Sequence, residues 1–246
     1  MAEPTAADYQ ESDFTDVYTT DELTASVTWG AGDIILVFGA ISNNESSTVL
    51  GLPTVTGLTF AELASLNENT DARDDTVVYL WSATAGSSGS GQIASVTSGG
   101  ISTLRSGLAV LVYSGSDGLG TPVTMDGGTG KTISVTRAGD NSHVALIMAD
   151  WNQVGDVTVD ATPTGTVRKA TALSGQMDVF VCSFGDQGSA GTTSYGITNH
   201  TGTVDMSGIA IEIKGTAGAP AEAIRILFAM PMAGTGGGRH GGSRVH

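Results

Sequence analysis

The chain is poor in charge, in cysteine and in long apolar runs. Asp, Glu, Lys and Arg make up only 14% of its 246 residues, and 10 basic residues face 25 acidic ones, for a formal net charge of −15. So little cationic surface argues against general binding to nucleic acid or to an anionic membrane, and favours solubility at high local concentration. One cysteine, Cys182, forms no internal disulfide. It sits in the apolar run Val179-Phe180-Val181-Cys182 with no histidine close in sequence, which predicts a buried small hydrophobe rather than a catalytic thiol. The longest apolar segments, Ile34 to Ile41 and Ile224 to Met232, fall well short of the ~20 residues that span a bilayer, so no membrane insertion is expected. The start, MAEPTAADYQESDF, lacks the basic and apolar regions of a secretion signal.

Hydrophobic residues reach 40%, enough for a well-buried core, and the polar remainder is dominated by Gly, Ser, Thr and Asn, which favour turns and strands. Helical periodicity is nearly absent. Only Ala61-Glu62-Leu63-Ala64 and Ala221-Glu222-Ala223 hint at helix.

The stretch Gly127 to Thr132, GGTGKT, imitates a phosphate-binding loop. Such a loop needs a glycine five positions before Gly130, where Met125 stands, and must open a helix. Ile133-Ser134-Val135-Thr136 follows instead, a strand pattern. Val144 to Asp150 imitates the companion Mg²⁺-binding strand but follows too closely for a crossover helix. A Gly-rich turn between strands is therefore predicted.

Strand signals recur along the chain. Trp29 to Asp33 reads as a turn feeding an apolar strand, Ile34 to Ile41, buried on both faces. Further strands are expected at Pro53 to Thr56, Leu58 to Leu66, Thr76 to Trp81, QIASVTS and Gly107 to Tyr113. The order then partly repeats, AGDNSHVALIMADW echoing GAGDIILVFGA, before TPTGTVRKATAL, QMDVFVCSF, TVDMSGIAIEIKG and last AIRILFAM. Such spacing by Gly-rich turns is the pattern of a sandwich or barrel.

The stretches GAGDIILVFGAIS, TVVYLWSATAG, SGLAVLVYSG with GTPVTMDG, AGDNSHVALIMA and MSGIAIEIKG resemble a family of jelly-roll-like β-sandwich proteins encoded by tailed bacteriophages. The resemblance covers roughly residues 24 to 216. The loop carrying Pro122 and Asp126 is spaced more widely than the family's form. It implies an all-β, jelly-roll-like antiparallel β-sandwich over residues 23–216, with an acidic N-terminal arm (1–22) and a C-terminal extension (217–246). It also implies a non-enzymatic virion component assembled in the host cytoplasm: a minor tail protein at the tail tip or fibre, or alternatively a capsid decoration protein. Its partners would be other virion proteins and further copies of itself, a trimer being one such form.

The arm interleaves acids with Tyr9, Phe14 and Tyr18, aromatic anchors for a neighbouring protein. The extension carries the apolar Ile224, Ile226 and Phe228, expected to add to a partner's sheet or groove, and the basic Arg239 and Arg244, which an acidic surface would attract. A carbohydrate-binding module contacting a host-surface glycan is a further alternative, with Trp29, Trp151 and Tyr195 as its stacking platform. Asn67 to Asp71 has the alternating oxygen ligands of a calcium loop, but Ala72 and Val78 replace its Gly and bidentate Glu, so no metal is expected. No nucleophile elbow occurs and Asp74-Asp75 reads as a solvated turn, so neither catalysis nor a cofactor is expected.

Overall fold

A strand that is apolar on both faces needs cover on both sides, and the described residues include six of them. The computed structural model describes residues 5–11, 21–23, 26–43, 49–68, 75–98, 105–126, 130–151, 158–173, 177–185, 188–200 and 205–215. The described residues form an all-β, antiparallel sandwich without helices.

The first half of the chain supplies β1 (Thr5–Glu11), β2 (Asp21–Leu23), β3 (Val27–Trp29), β4 (Ile34–Asn43), β5 (Val49–Leu50), β6 (Ala61–Glu68), β7 (Asp75–Thr84), β8 (Gly89–Gly91), β9 (Ala94–Ser98) and β10 (Arg105–Ser114). The second half supplies β11 (Ser116–Leu119), β12 (Val123–Met125), β13 (Thr132–Arg137), β14 (His143–Trp151), β15 (Asp160–Thr162), β16 (Thr166–Leu173), β17 (Met177–Phe184), β18 (Gly191–Thr198) and β19 (Asp205–Gly215).

Each half builds one sheet of the sandwich, and the two sheets have the same topology. The first runs β1-β10-β4-β7-β6; the second runs β11-β19-β14-β17-β16, with β12 also on β19. Outside the first sheet lie the pairs β2-β9-β5 and β3-β8, and outside the second lies β13-β18-β15. The correspondence extends to single residues. Leu36 pairs with Ser82 and Leu111 as Ala145 pairs with Ser183 and Ile211. Both outermost strands carry a bulge at the same place, between Glu62 and Ala64 in β6 and between Val167 and Lys169 in β16. The echo heard in the sequence is thus a duplicated unit.

The duplication makes three apolar layers. Side chains of alternating parity face opposite ways along a strand. In β4, Ile34, Leu36, Phe38 and Ala40 face the second sheet, while Ile35, Val37 and Ile41 face the outer strands β2, β3, β5, β8 and β9. In β17, Val179 and Val181 face the first sheet, while Phe180, Cys182 and Phe184 lie under β13 and β18. Each buried Val, Leu, Ile or Phe contributes about 1.5–3 kcal/mol, so covering both faces doubles what a strand can contribute. Tyr113 of β10 meets His143 of β14 edge-on at 5.9 Å, so matching ends of the two halves sit together. Burial pushes its phenol above the ordinary value, against the pull of the Arg168 charge.

The turns feeding β4 and β14 also match. Gly32 (φ 86°) and Asn141 (φ 58°) occupy equivalent left-handed positions, donating their N–H groups to Ala85 and Gly188 carbonyls. In the first turn the Asp33 carboxylate also accepts the Gly30 N–H at 2.6 Å. A Cβ at Gly32 would meet no neighbouring atom, so Gly32→Ala isolates the backbone strain. It should cost about 1 kcal/mol in urea unfolding. A variant as stable as the parent would contradict this account of the turn.

The hint of helix at Ala61 to Ala64 is corrected: these residues lie in β6, within the strand expected from Leu58 to Leu66, because pairing with β7 outweighs the helix propensity of Ala, Glu and Leu. Within the acidic N-terminal stretch, Thr5–Glu11 forms the first sheet's edge against β10, and Asp21–Leu23 pairs with β9. An unpaired ladder on β10 recruits that segment whatever its acidity. The extension at 217–246 lies outside the described residues.

Candidate functional site

At the free ends of the sheets, β6 and β16 are guarded against further pairing. Both are bulged, β6 exposes Glu62, and β16 carries Arg168 and Lys169. Bulges and edge charges keep sheets from fusing with other chains. Contacts along these two edges are therefore disfavoured.

The described large apolar side chains that are exposed gather on one outer ribbon. Val49 (44%) lies on β5, Leu52 (50%) directly after it and Val96 (54%) on β9. Val49 pairs with Ser98, and the Gly51 N–H donates to the Val96 carbonyl at 2.9 Å, which brings the three into one patch.

Beside this patch the ribbon stands away from the sheet edge and leaves a cleft of about 390 Å³. One wall is apolar, Val49 and Leu50 of β5. The other is polar, with Glu62, Ser65 and Asn67 of β6, and Val77 and Tyr79 of β7 form the floor. The Tyr79 ring stacks on Trp81 at 4.9 Å. Burial pushes its phenol up and the nearby Glu62 charge adds to this, against a hydrogen bond with the Leu50 backbone.

The second half closes the same place. By register, Val167, Ala170 and Ala172 stand where Glu62, Ser65 and Asn67 do, and Phe180 replaces Tyr79. Val167 and Ala170 pack onto the core together with Ala161 of β15. Where Val77 lies in the first half, the second has Asp178, buried, with its carboxylate 3.2 Å from the His200 imidazole. Asp150, also buried, stands directly opposite Asp178 on β14, and the Lys131 ammonium donates to the His200 carbonyl. The lysine of the nucleotide-loop look-alike thus tethers a turn, and Thr132–Arg137 beyond it is strand.

A second cleft, about 360 Å³, lies between the β11–β12 connection and β13, lined by Thr121, Ser134, Thr136, Glu212 and Lys214. Glu212 is buried and accepts the Ala138 N–H at 2.9 Å, so it holds the turn before β14. By register its counterpart in the first half is Val112. Among the described residues no three His, Cys, Asp or Glu converge as metal ligands. Burial pushes the Cys182 thiol up to about 12.

The residues expected to form a glycan platform are not assembled into one. Trp29 (3% exposed) and Tyr195 (0%) belong to two different apolar layers, because the outer ribbons cover both sheets. Trp151 closes β14 next to Asp205, with its side chain outside the described residues. Tyr9 lies in β1 opposite Leu111; its side chain, and Phe14, Tyr18, Ile224, Ile226, Phe228, Arg239 and Arg244 altogether, are outside the described residues. Of the Asn67–Asp71 loop, Asn67 and Glu68 are the end of β6 and the remainder is likewise outside. Glu62, Ser65 and Tyr79 are not among the candidate site residues expected from the sequence, and Asn67 is expected only as the start of the calcium-like loop. The available signal was the run of polar residues in a segment otherwise suited to packing, ELASLNE. No known protein family, curated protein or solved structure matches the chain.

Proposed function

We propose that the chain is a structural component of a tailed-bacteriophage virion, a minor tail protein of the tail tip or fibre, acting through subunit contacts and exposed loops. The observation that carries this is the apolar patch of Val49, Leu52 and Val96, the exposed large apolar side chains among the described residues, on a chain of net charge −15. A surface of that kind tolerates crowding yet offers one place for a neighbour to bury apolar area. The stretches that resemble the phage family support it as well, since they coincide with the turn and β4, β7, β10, the turn and β14, and β19, the frame of the duplicated unit.

The test is gold-labelled antibody against this chain on intact particles purified from cells that make it. Label at the tail end is expected. Label spread over the head would make the chain a decoration protein, and particles without label would remove the virion reading. In the same particles, Leu52→Asp combined with Val96→Asp should reduce incorporation at least about ten-fold, the effect of losing on the order of 1.4 kcal/mol of contact energy. Incorporation at the parent level would exclude the patch as the contact.

A further inference from the structure

The cleft between β5 and β6 has a composition that its place in the fold does not require. The duplicated unit offers an internal control, because the equivalent positions by register in the second half are Val167, Ala170 and Ala172, of which Val167 and Ala170 pack onto the core with Ala161 of β15. Exposure by itself does not account for the polar residues of the first half. On the facing wall Leu50 is buried, and Val49 remains apolar although 44% exposed. A polar wall thus faces an apolar wall across a space of about 390 Å³, at the small end of the range of ligand sites, roughly 300–1,000 Å³.

We propose that this cleft binds a neutral saccharide ring. A pyranose presents hydroxyls around its rim and aliphatic C–H groups on its face. Glu62 offers a charged acceptor for a pair of hydroxyls, Asn67 offers both a donor and an acceptor, and the Ser65 hydroxyl serves as either. Val49 and Val77 supply apolar surface for the C–H face, while the Tyr79 phenol, held to the Leu50 backbone, fixes the floor. The ligand is neutral because a chain of net charge −15, with Glu62 in the cleft itself, repels acidic sugars. This site is separate from the tryptophan and tyrosine platform expected from the sequence, and no residue is shared with it.

Saturation-transfer NMR on the full chain, with glucose, galactose, mannose and N-acetylglucosamine as probes, tests the proposal. At least one sugar should receive saturation, with a Kd on the order of 1 mM or tighter. Asn67→Ala, and the triple change Glu62→Val, Ser65→Ala and Asn67→Ala that installs the second half's residues, should weaken binding at least about ten-fold. Ser134→Ala, in the other cleft, should leave it unchanged. Asn67 is exposed, so Asn67→Ala should keep the parent's Tm and remain informative if the triple variant unfolds. Silence from all four sugars, or parent-like binding by Asn67→Ala and Glu62→Gln alike, would overturn it. The location of the chain on particles is read separately by antibody label, so either result can fail without the other.

Discussion

Asp178→Ala is expected to destabilise the protein by about 3 kcal/mol in equilibrium urea unfolding. The carboxylate and the His200 imidazole are both fully buried at 3.2 Å, and the Phe180 ring stands edge-on to the imidazole at 5.3 Å. Truncation removes the carboxylate that the buried imidazole meets, and a buried polar group that loses a hydrogen-bonding contact is destabilised. The expected value lies at the lower end of what breaking buried pairs costs. Asp178→Asn, which keeps an acceptor oxygen and the side-chain volume, should lose less. A cost under about 1 kcal/mol for the alanine variant would mean that the pair is not the tie between β17 and the segment after β18 that the geometry describes.

Gly196→Ala should be at least as damaging, for a reason of backbone rather than charge. Gly196 lies in β18 opposite Thr132, and a Cβ there would overlap the Lys131 carbonyl oxygen and come within 2.8 Å of the Thr132 Cα. The same carbonyl accepts the Ile197 N–H at 3.0 Å. Neither chain can withdraw, because Ile133 and Ile197 on the inner face are locked into the outer apolar layer. The expected result is a loss of at least about 3 kcal/mol, with hydrogen-exchange protection of the β13 amides falling more than that of β14. If β13 and β14 lose protection equally and the total loss stays near 1 kcal/mol, the close approach is not rigid.

The six central strands were legible in the sequence because burial on both faces removes the need for polar residues and leaves runs such as Ile34 to Ile41 and Val144 to Ala149. The repeat was half visible for the same reason. What the sequence hid was everything decided by the outer ribbons. Trp29 looks like an exposed turn residue until β3 is laid over the first sheet, and Tyr195 looks like a loop aromatic until β18 covers the second. The N-terminal strand was hidden because its place depends on the ladder of a strand about a hundred residues away, not on its own composition. The cleft was least legible of all. Its walls come from β5 and β6, and its openness depends on how far one ribbon stands from the sheet, which only the closed counterpart in the second half brings into view.

The duplicated arrangement also has a bearing on how the chain finds its structure. Among the described residues, every strand pairing joins two segments of the same half, and no ladder crosses from one half to the other. Loop-closure entropy for each sheet is therefore met within its own stretch of chain, as it would be in a shorter protein. Neither sheet can rest there, because each would present an entire face of Leu, Ile and Val to water until the other arrives. Local assembly is thus separate from final docking, and the docking step carries the hazard: two copies of the chain can exchange halves across the same apolar face, with the short link at Gly115 as the hinge.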